Sequence, residues 1–217
     1  MSHTLTALSA ALPLASGWSI HSLWMRRRIE AARRDPLTGL LTRDGFTELA
    51  RRRLAHKPRA VCLIDLNKFK QINDTYGHAA GDAVIRAAGE RLSEWAVDHS
   101  AVVGRLGGDE FAAVAPAYSQ NQLAETLNCL ASELERPVEA GGHSLMVSAS
   151  IGAVCFNPRA GQPDLPELLR AADEQMYRAK RQGAPWLAAQ SLTSERATVN
   201  GRRAGRRGAA SGTGEAA

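Results

Sequence analysis

The chain has 217 residues, 44% of them hydrophobic and 23% charged, the balance of a globular protein with room for one domain of ordinary size and flanking segments. Its net charge of +5 sits at the ends: residues 1–34 carry +4 and residues 195–217 carry +3, which leaves −2 on residues 35–194. The central part therefore argues against nucleic acid as a partner, and three cysteines (Cys62, Cys129, Cys155) without metal spacing or an even count argue against a zinc module or a disulfide framework and fit a reducing cytosol.

Residues 4–25 contain no Asp, Glu, Lys or Arg and run straight into Arg26-Arg27-Arg28. That length, the tryptophans near its end and the arginines beyond it make residues 1–25 a candidate N-terminal membrane helix, anchored in the inner membrane with the following domain in the cytoplasm. Pro13, Gly17, His21 and several Ser and Thr make the segment only mildly apolar, so a helix packed on a partner chain is the competing reading. No arginine precedes the apolar stretch, which argues against a cleaved signal peptide. Residues 26–34 read as a basic linker helix. Pro36 stops it, Gly39 favours a turn, and Thr42 is a suitable N-cap for a helix over 43–56 with Phe46, Leu49 and Leu54 on its apolar face.

Residues 59–66 form a continuous apolar run after Pro58, the pattern of a buried central strand. The run carries Asp65 near its end. A carboxylate there needs a partner, which a helix cap, a salt bridge or a metal ion would supply. Asn67 to Lys70 make a tight strand-to-helix connection whose backbone N–H groups suit a phosphate. Helical spacing resumes at Phe69, Ile72 and Tyr76, Gly77 is a C-cap, and a longer helix is expected from about Asp82 to Trp95. Asn73 and Asp82 lie at helix edges, where each alone reads as a cap.

Two short apolar runs, 101–106 and 110–115, flank Gly107-Gly108 and predict a β-hairpin. The glycines leave space for a large ligand. Asp109 and Glu110 follow at a strand edge, as ligands for a hard cation or simply as an acidic turn. A helix over 120–135 ends at Pro137, residues 144–155 read as one strand, and a helix spans 164–181 with Leu168, Leu169, Ala172, Met176 and Tyr177 in a stripe. A short edge strand is expected at 184–187, and 191–217 lack periodicity and read as a disordered basic tail. The fold class is α+β, a sheet with helices on its faces. If the strands ending at Asp65 and starting after Gly108 are neighbours, three carboxylates meet at one edge. Such a group favours Mg²⁺ completed by substrate phosphates, and hence metal-dependent nucleotide chemistry.

Four stretches also carry a resemblance. Arg105-Leu106-Gly107-Gly108-Asp109-Glu110-Phe111 resembles the signature of the GGDEF family of diguanylate cyclases. Asp35 to Leu40 resembles the family's first motif, Asp65 to His78 with Gly81-Asp82 its metal and base-recognition segment, and Ala171 to Gly183 its last helix. The resemblance covers about residues 35–185, and the domain is taken as residues 35–190. It implies a palm-like antiparallel sheet, ferredoxin-like and akin to nucleotide cyclases, and the joining of two GTP molecules into cyclic di-GMP with release of two pyrophosphates across a homodimer. It further implies two Mg²⁺ (or Mn²⁺) ions per active site held by Asp65, Asp109 and the carbonyl of Leu66, with Glu110 beside them in a catalytic role. Phe69 and Lys70 would meet the phosphates through backbone N–H groups, Asn73 and Asp82 would read guanine, Gly107 and Gly108 would make room, and Lys180 would neutralise phosphate charge. Downstream partners would be cyclic di-GMP effectors. The sequence departs from the family pattern in three respects. Ala184 replaces a common phosphate-binding Arg; Asp98 and Ala101 replace the Arg-x-x-Asp of a product-inhibition site, so none is expected; Asn67 replaces a common second Asp. Ala184 keeps open the alternative of a weak or inactive module that binds GTP or cyclic di-GMP for regulation.

Overall fold

The computed structural model describes residues 32–162 and 164–189, with scattered positions between 18 and 30. The expected membrane helix falls mostly, and the basic tail wholly, outside the described residues. Among the described residues, no helix is long and apolar enough to cross a membrane.

A five-stranded sheet forms the centre. β1 (Arg59–Leu66) is its middle strand, paired antiparallel with β3 (Glu110–Pro116) on one side and with β6 (Ala149–Phe156) on the other. β2 (Val102–Gly107) lies outside β3, and β7 (Trp186–Ala189) runs parallel to β6 at the other edge. Alternate residues of β1 enter two different cores. Ala60, Cys62, Ile64 and Leu66 face α3 (His78–Asp98) and α4 (Gln120–Leu134), while Val61 and Leu63 face α1 (Arg43–Leu54) and α5 (Leu165–Gln182). Helices on both faces explain why residues 59–66 lack the polar alternation of a half-exposed strand. Each fully buried Leu or Ile, such as Ile64 or Leu127, contributes about 2 kcal/mol of burial free energy.

Two local features place the functional helices. α2 (Phe69–Tyr76) ends at Gly77, whose N–H donates to the Asn73 carbonyl and whose positive φ of 83° turns the chain directly into α3. α5 lies against β6 at Gly152, where a methyl group would sit 2.0 Å from the Ala172 carbonyl oxygen and 2.2 Å from the Met176 nitrogen. Only a residue without a side chain allows that approach.

Three expectations need correction. The long helix starts at His78, not at Asp82, because Gly77 caps one helix and opens the next without a linker. Residues 144–155 are not one strand: β5 (His143–Leu145) leaves the main sheet and pairs with β4 (Val138–Ala140) around Gly141-Gly142, and β6 begins only at Ala149. Positive φ angles of 58° and 80° at the two glycines make this tight hairpin. The edge strand lies at 186–189, two residues later than expected, since the Pro185 carbonyl already bonds the Ile151 N–H and β7 follows it.

Candidate active site

The site lies at the end of the sheet where β1 stops. Asp65 stands directly opposite Glu110 on β3 and Ser150 on β6. Its side chain is mostly covered, and Lys180 from the last turns of α5 donates to Asp65 Oδ1 at 2.6 Å. The lysine end of the pair is half exposed, so water screens it and its value is about 1 kcal/mol or less. The pair orients two groups more than it stabilises the fold. Leu66 is beside Asp109, its N–H donating to the Asp109 carbonyl at 3.3 Å.

The glycine turn is held from below. Gly107 and Gly108 have φ angles of 147° and 53°, values that L side chains rarely take, and the pairing of β2 with β3 shifts register there. Arg105 donates from Nε and Nη2 to the Gly108 carbonyl at 3.0 and 2.8 Å, and from Nη1 to both carboxylate oxygens of Asp35 at 3.0 and 3.2 Å. Asp35 also accepts from the Thr38 N–H at 2.9 Å and the Thr38 hydroxyl at 2.8 Å. Partial burial pushes the Asp35 carboxyl up, but the bonds from Thr38 and Arg105 and the guanidinium charge outweigh it and hold the pKa below the ordinary carboxylate value. Arg43 adds a bond from Nε to the Leu106 carbonyl at 3.2 Å. The turn is thus clamped by residues from the loop before α1, from α1 itself and from β2.

The loop after β1 is equally fixed. The Asn67 N–H donates to the Ser148 carbonyl at 2.8 Å, its amide donates to Ser148 Oγ at 3.1 Å, and its Oδ1 accepts from Ser150 Oγ at 2.9 Å. Asn67 therefore ties the loop to β6 and needs no negative charge for that task. Lys68 takes a left-handed conformation (φ 59°), and no side chain caps the start of α2. The N–H groups of Phe69 and Lys70 sit at that uncapped end, a suitable place for phosphate oxygens. Two cavities flank the loop. One, of about 460 Å³, is lined by Asn67, Lys68, Gln71, Thr75, Tyr76 and Ser148 among others. The second, of about 410 Å³, is bordered by Lys68, Glu135, Ser148, Lys180, Ala184 and Pro185 among others. Ala184 lines this second cavity together with Lys68 and Lys180.

The structure brings together Asp65, Leu66, Asp109, Glu110, Lys180 and the two glycines at one end of the sheet. Asn73 and Asp82 lie apart from them on α2 and on α3 one turn in from its start, half-buried and exposed respectively. One expectation is adjusted: the three carboxylates share one end of the sheet, but among the described residues no three His, Cys, Asp or Glu side chains are gathered into a metal cage. Asp65 turns to Lys180 instead. Asp35 and Arg105 were legible only as parts of motifs. Their partnership spans 70 residues of sequence and has no local signal.

Comparison with known proteins gives this arrangement a family. The model of the diguanylate cyclase GGDEF domain matches residues 32–185. The chain belongs to the GGDEF family. It is 45% identical over 170 residues to an uncharacterised 19.3 kDa protein of Streptomyces ambofaciens, a match covering 78% of this chain and 89% of that one. It is 39% identical over 156 residues to the diguanylate cyclase DosC of Escherichia coli, covering 69% of this chain and 33% of DosC. The GGDEF domain here thus corresponds to about a third of that relative's length. Among solved structures, a sensory box/GGDEF family protein from Caulobacter crescentus superposes with a TM-score of 0.62 at 36% identity, covering 70% of this chain and 99% of that one. The palm-like cyclase fold expected for GGDEF domains is the fold observed. Some related proteins are named cyclic di-GMP phosphodiesterases.

Proposed function

We propose that this GGDEF domain is a diguanylate cyclase that joins two GTP molecules into cyclic di-GMP. The observation that carries this reading is the convergence, at one end of the sheet, of Asp65 opposite Glu110, a clamped glycine turn bearing Asp109, and Lys180 2.6 Å from Asp65. Each of two subunits holds one GTP, and the two sites face each other. The 3′-hydroxyl of each GTP attacks the α-phosphate of the other. An oxygen–phosphorus bond forms to the α-phosphate, the bond to the β-phosphate bridge breaks, and pyrophosphate leaves, twice per product. In this reading Glu110, adjacent to Asp109, accepts the hydroxyl proton. Phe69 and Lys70 offer backbone N–H groups to the phosphates, Lys180 neutralises their charge, and Gly107 and Gly108 leave the nucleotide room. An amide and a carboxylate, Asn73 and Asp82, match the donor and acceptor edge of guanine.

The oxygen-only donor set, Asp65 and Asp109 carboxylates with the Leu66 carbonyl, fits a hard divalent cation such as Mg²⁺ or Mn²⁺, which takes few carboxylates and completes its shell with phosphate and water. The backbone contact between Leu66 and Asp109 brings those donors into one neighbourhood. When bound, such ions supply acidity to the attacking hydroxyl and charge compensation to the leaving pyrophosphate.

A second reading is a regulatory module that binds GTP or cyclic di-GMP without turnover, and Ala184 beside the phosphate cavity is the observation that favours it. Incubating the purified chain with GTP and Mg²⁺ over a range of protein concentrations decides between them. The cyclase gives a product with the mass of cyclic di-GMP, at a rate that rises faster than linearly with protein when dimers are scarce; EDTA stops it, and Asp109→Ala abolishes it. GTP binding without product at any protein concentration establishes the module instead.

A further inference from the structure

We propose that Gly81 is a specificity-determining positioning residue, and that its missing side chain is what lets Asn73 face the guanine base. The proposal rests on the reading of this site as a GTP site. Asn73 lies on α2 and Asp82 on α3, and the two helices meet at Gly77 with no connecting residues. That junction folds α2 back so that the Asn73 side chain lies over the first turn of α3. A methyl group on Gly81 would sit 1.9 Å from Asn73 Oδ1, 2.9 Å from Asn73 Cγ and 3.2 Å from Phe69 Cζ. The carboxamide therefore occupies the space where residue 81 would carry its Cβ, next to the phenyl ring of Phe69. Gly81 is buried, and its neighbour Asp82 is exposed. The same backbone position thus leaves a seat for the amide and presents the carboxylate one residue on.

The glycine is not needed for the backbone. Gly81 lies within α3, in ordinary helical conformation, where alanine is the better helix former. An alanine there leaves the helix intact and moves the softest neighbour, the terminal amide of Asn73. Its effect is local: the severe overlap, 1.9 Å, falls on the Asn73 amide, and the Phe69 ring at 3.2 Å need yield only slightly. That amide reads the base, so Gly81→Ala weakens guanine binding while leaving the phosphate end, at Lys180 and the start of α2, unchanged.

The test is a double-mutant cycle. Binding of a non-hydrolysable GTP analogue and of the matching ATP analogue is measured by calorimetry for the wild type, Gly81→Ala, Asn73→Ala and the double variant, with thermal melts to check folding. The side-chain amide resonances of Asn73 are followed by NMR in the wild type and in Gly81→Ala. The expected result is a loss of about tenfold in GTP-analogue affinity for each single variant, no further loss in the double variant, little change for the ATP analogue, and shifted Asn73 amide resonances. Wild-type affinity in Gly81→Ala, or full additivity in the double variant, overturns the proposal. A wild type that binds no GTP analogue while the Asn73 resonances still shift overturns the GTP reading, and the specificity role with it; unshifted resonances overturn the positioning role alone.

Discussion

Asp35→Asn is the sharpest probe of how this domain holds its glycine turn. Asp35 accepts four contacts, two from Thr38 and two from Arg105, and both members of the Asp35–Arg105 pair are mostly covered, with side chains 19% and 15% exposed. Asparagine keeps one acceptor for Thr38 but removes the charge and turns an NH₂ toward the guanidinium. Hydrogen bonds to charged groups contribute about 1.5–3 kcal/mol each. Partial exposure and the retained Thr38 bonds place the net loss at about 2 kcal/mol. For a domain of this size that lowers Tm by about 4–8 °C. The pH dependence has a definite sign. The folded pKa of Asp35 lies below its unfolded value, so its stabilisation is fully present above about pH 4 and is lost as pH falls through the folded value. The gap in urea midpoint between wild type and variant is therefore full at pH 7 and shrinks as the pH drops below 4. Turnover falls as well, because Arg105 loses the partner that fixes its grip on the Gly108 carbonyl. A Tm within 1 °C of wild type at neutral pH, or a gap that does not shrink in acid, refutes the clamp.

Two further outcomes follow from other parts of the chain. Ala184→Arg places a guanidinium at the cavity bordered by Lys68 and Lys180 and lowers the KM for GTP about fivefold, worth ~1 kcal/mol, with little change in kcat; steady-state kinetics measures it, and an unchanged KM rules out a phosphate contact at that position. The thiols react in a fixed order with a disulfide reagent at pH 8: exposed Cys129 at once, half-buried Cys155 slowly, and Cys62 only on unfolding, since burial, with Cys155 nearby, pushes its pKa up to about 12. Rapid labelling of Cys62 in the native protein would contradict the core described around β1.

Most of the sheet could be read from local pattern. The unbroken apolar run of residues 59–66 matched β1 residue for residue, because a strand covered on both faces has no polar positions to interrupt it. The Gly107-Gly108 hairpin was legible because two glycines between apolar runs have few other uses. The same signal at Gly141-Gly142 is masked by its surroundings: Pro137 marks a helix end just before it, and the apolar residues after it merge with β6 into one apparent strand. The candidate site was legible in its residues but not in its geometry. Nothing in the sequence shows that Asp65 faces Lys180, that Asn67 is spent on Ser148 and Ser150, or that Arg105 bridges to Asp35, because each of these pairs lies more than 65 residues apart. The Gly81–Asn73 contact is shorter in sequence yet equally silent, since a glycine within a helix normally signals only a weaker helix.

The seam between α5 and β6 at Gly152 has a consequence for how the domain tolerates change. Where two elements meet through side chains, a substitution can be absorbed by rotamer shifts and small translations. Here backbone meets backbone, with the Ala172 carbonyl and the Met176 nitrogen against the strand, so there is nothing compressible between them. Lys180 lies one helical turn beyond Met176 and inherits its position from that rigid joint. Variation in the surrounding apolar residues therefore leaves the height of the lysine above Asp65 unchanged, whereas the smallest addition at residue 152 displaces the whole helix. The domain can drift widely in core composition and still keep Lys180 in register with Asp65.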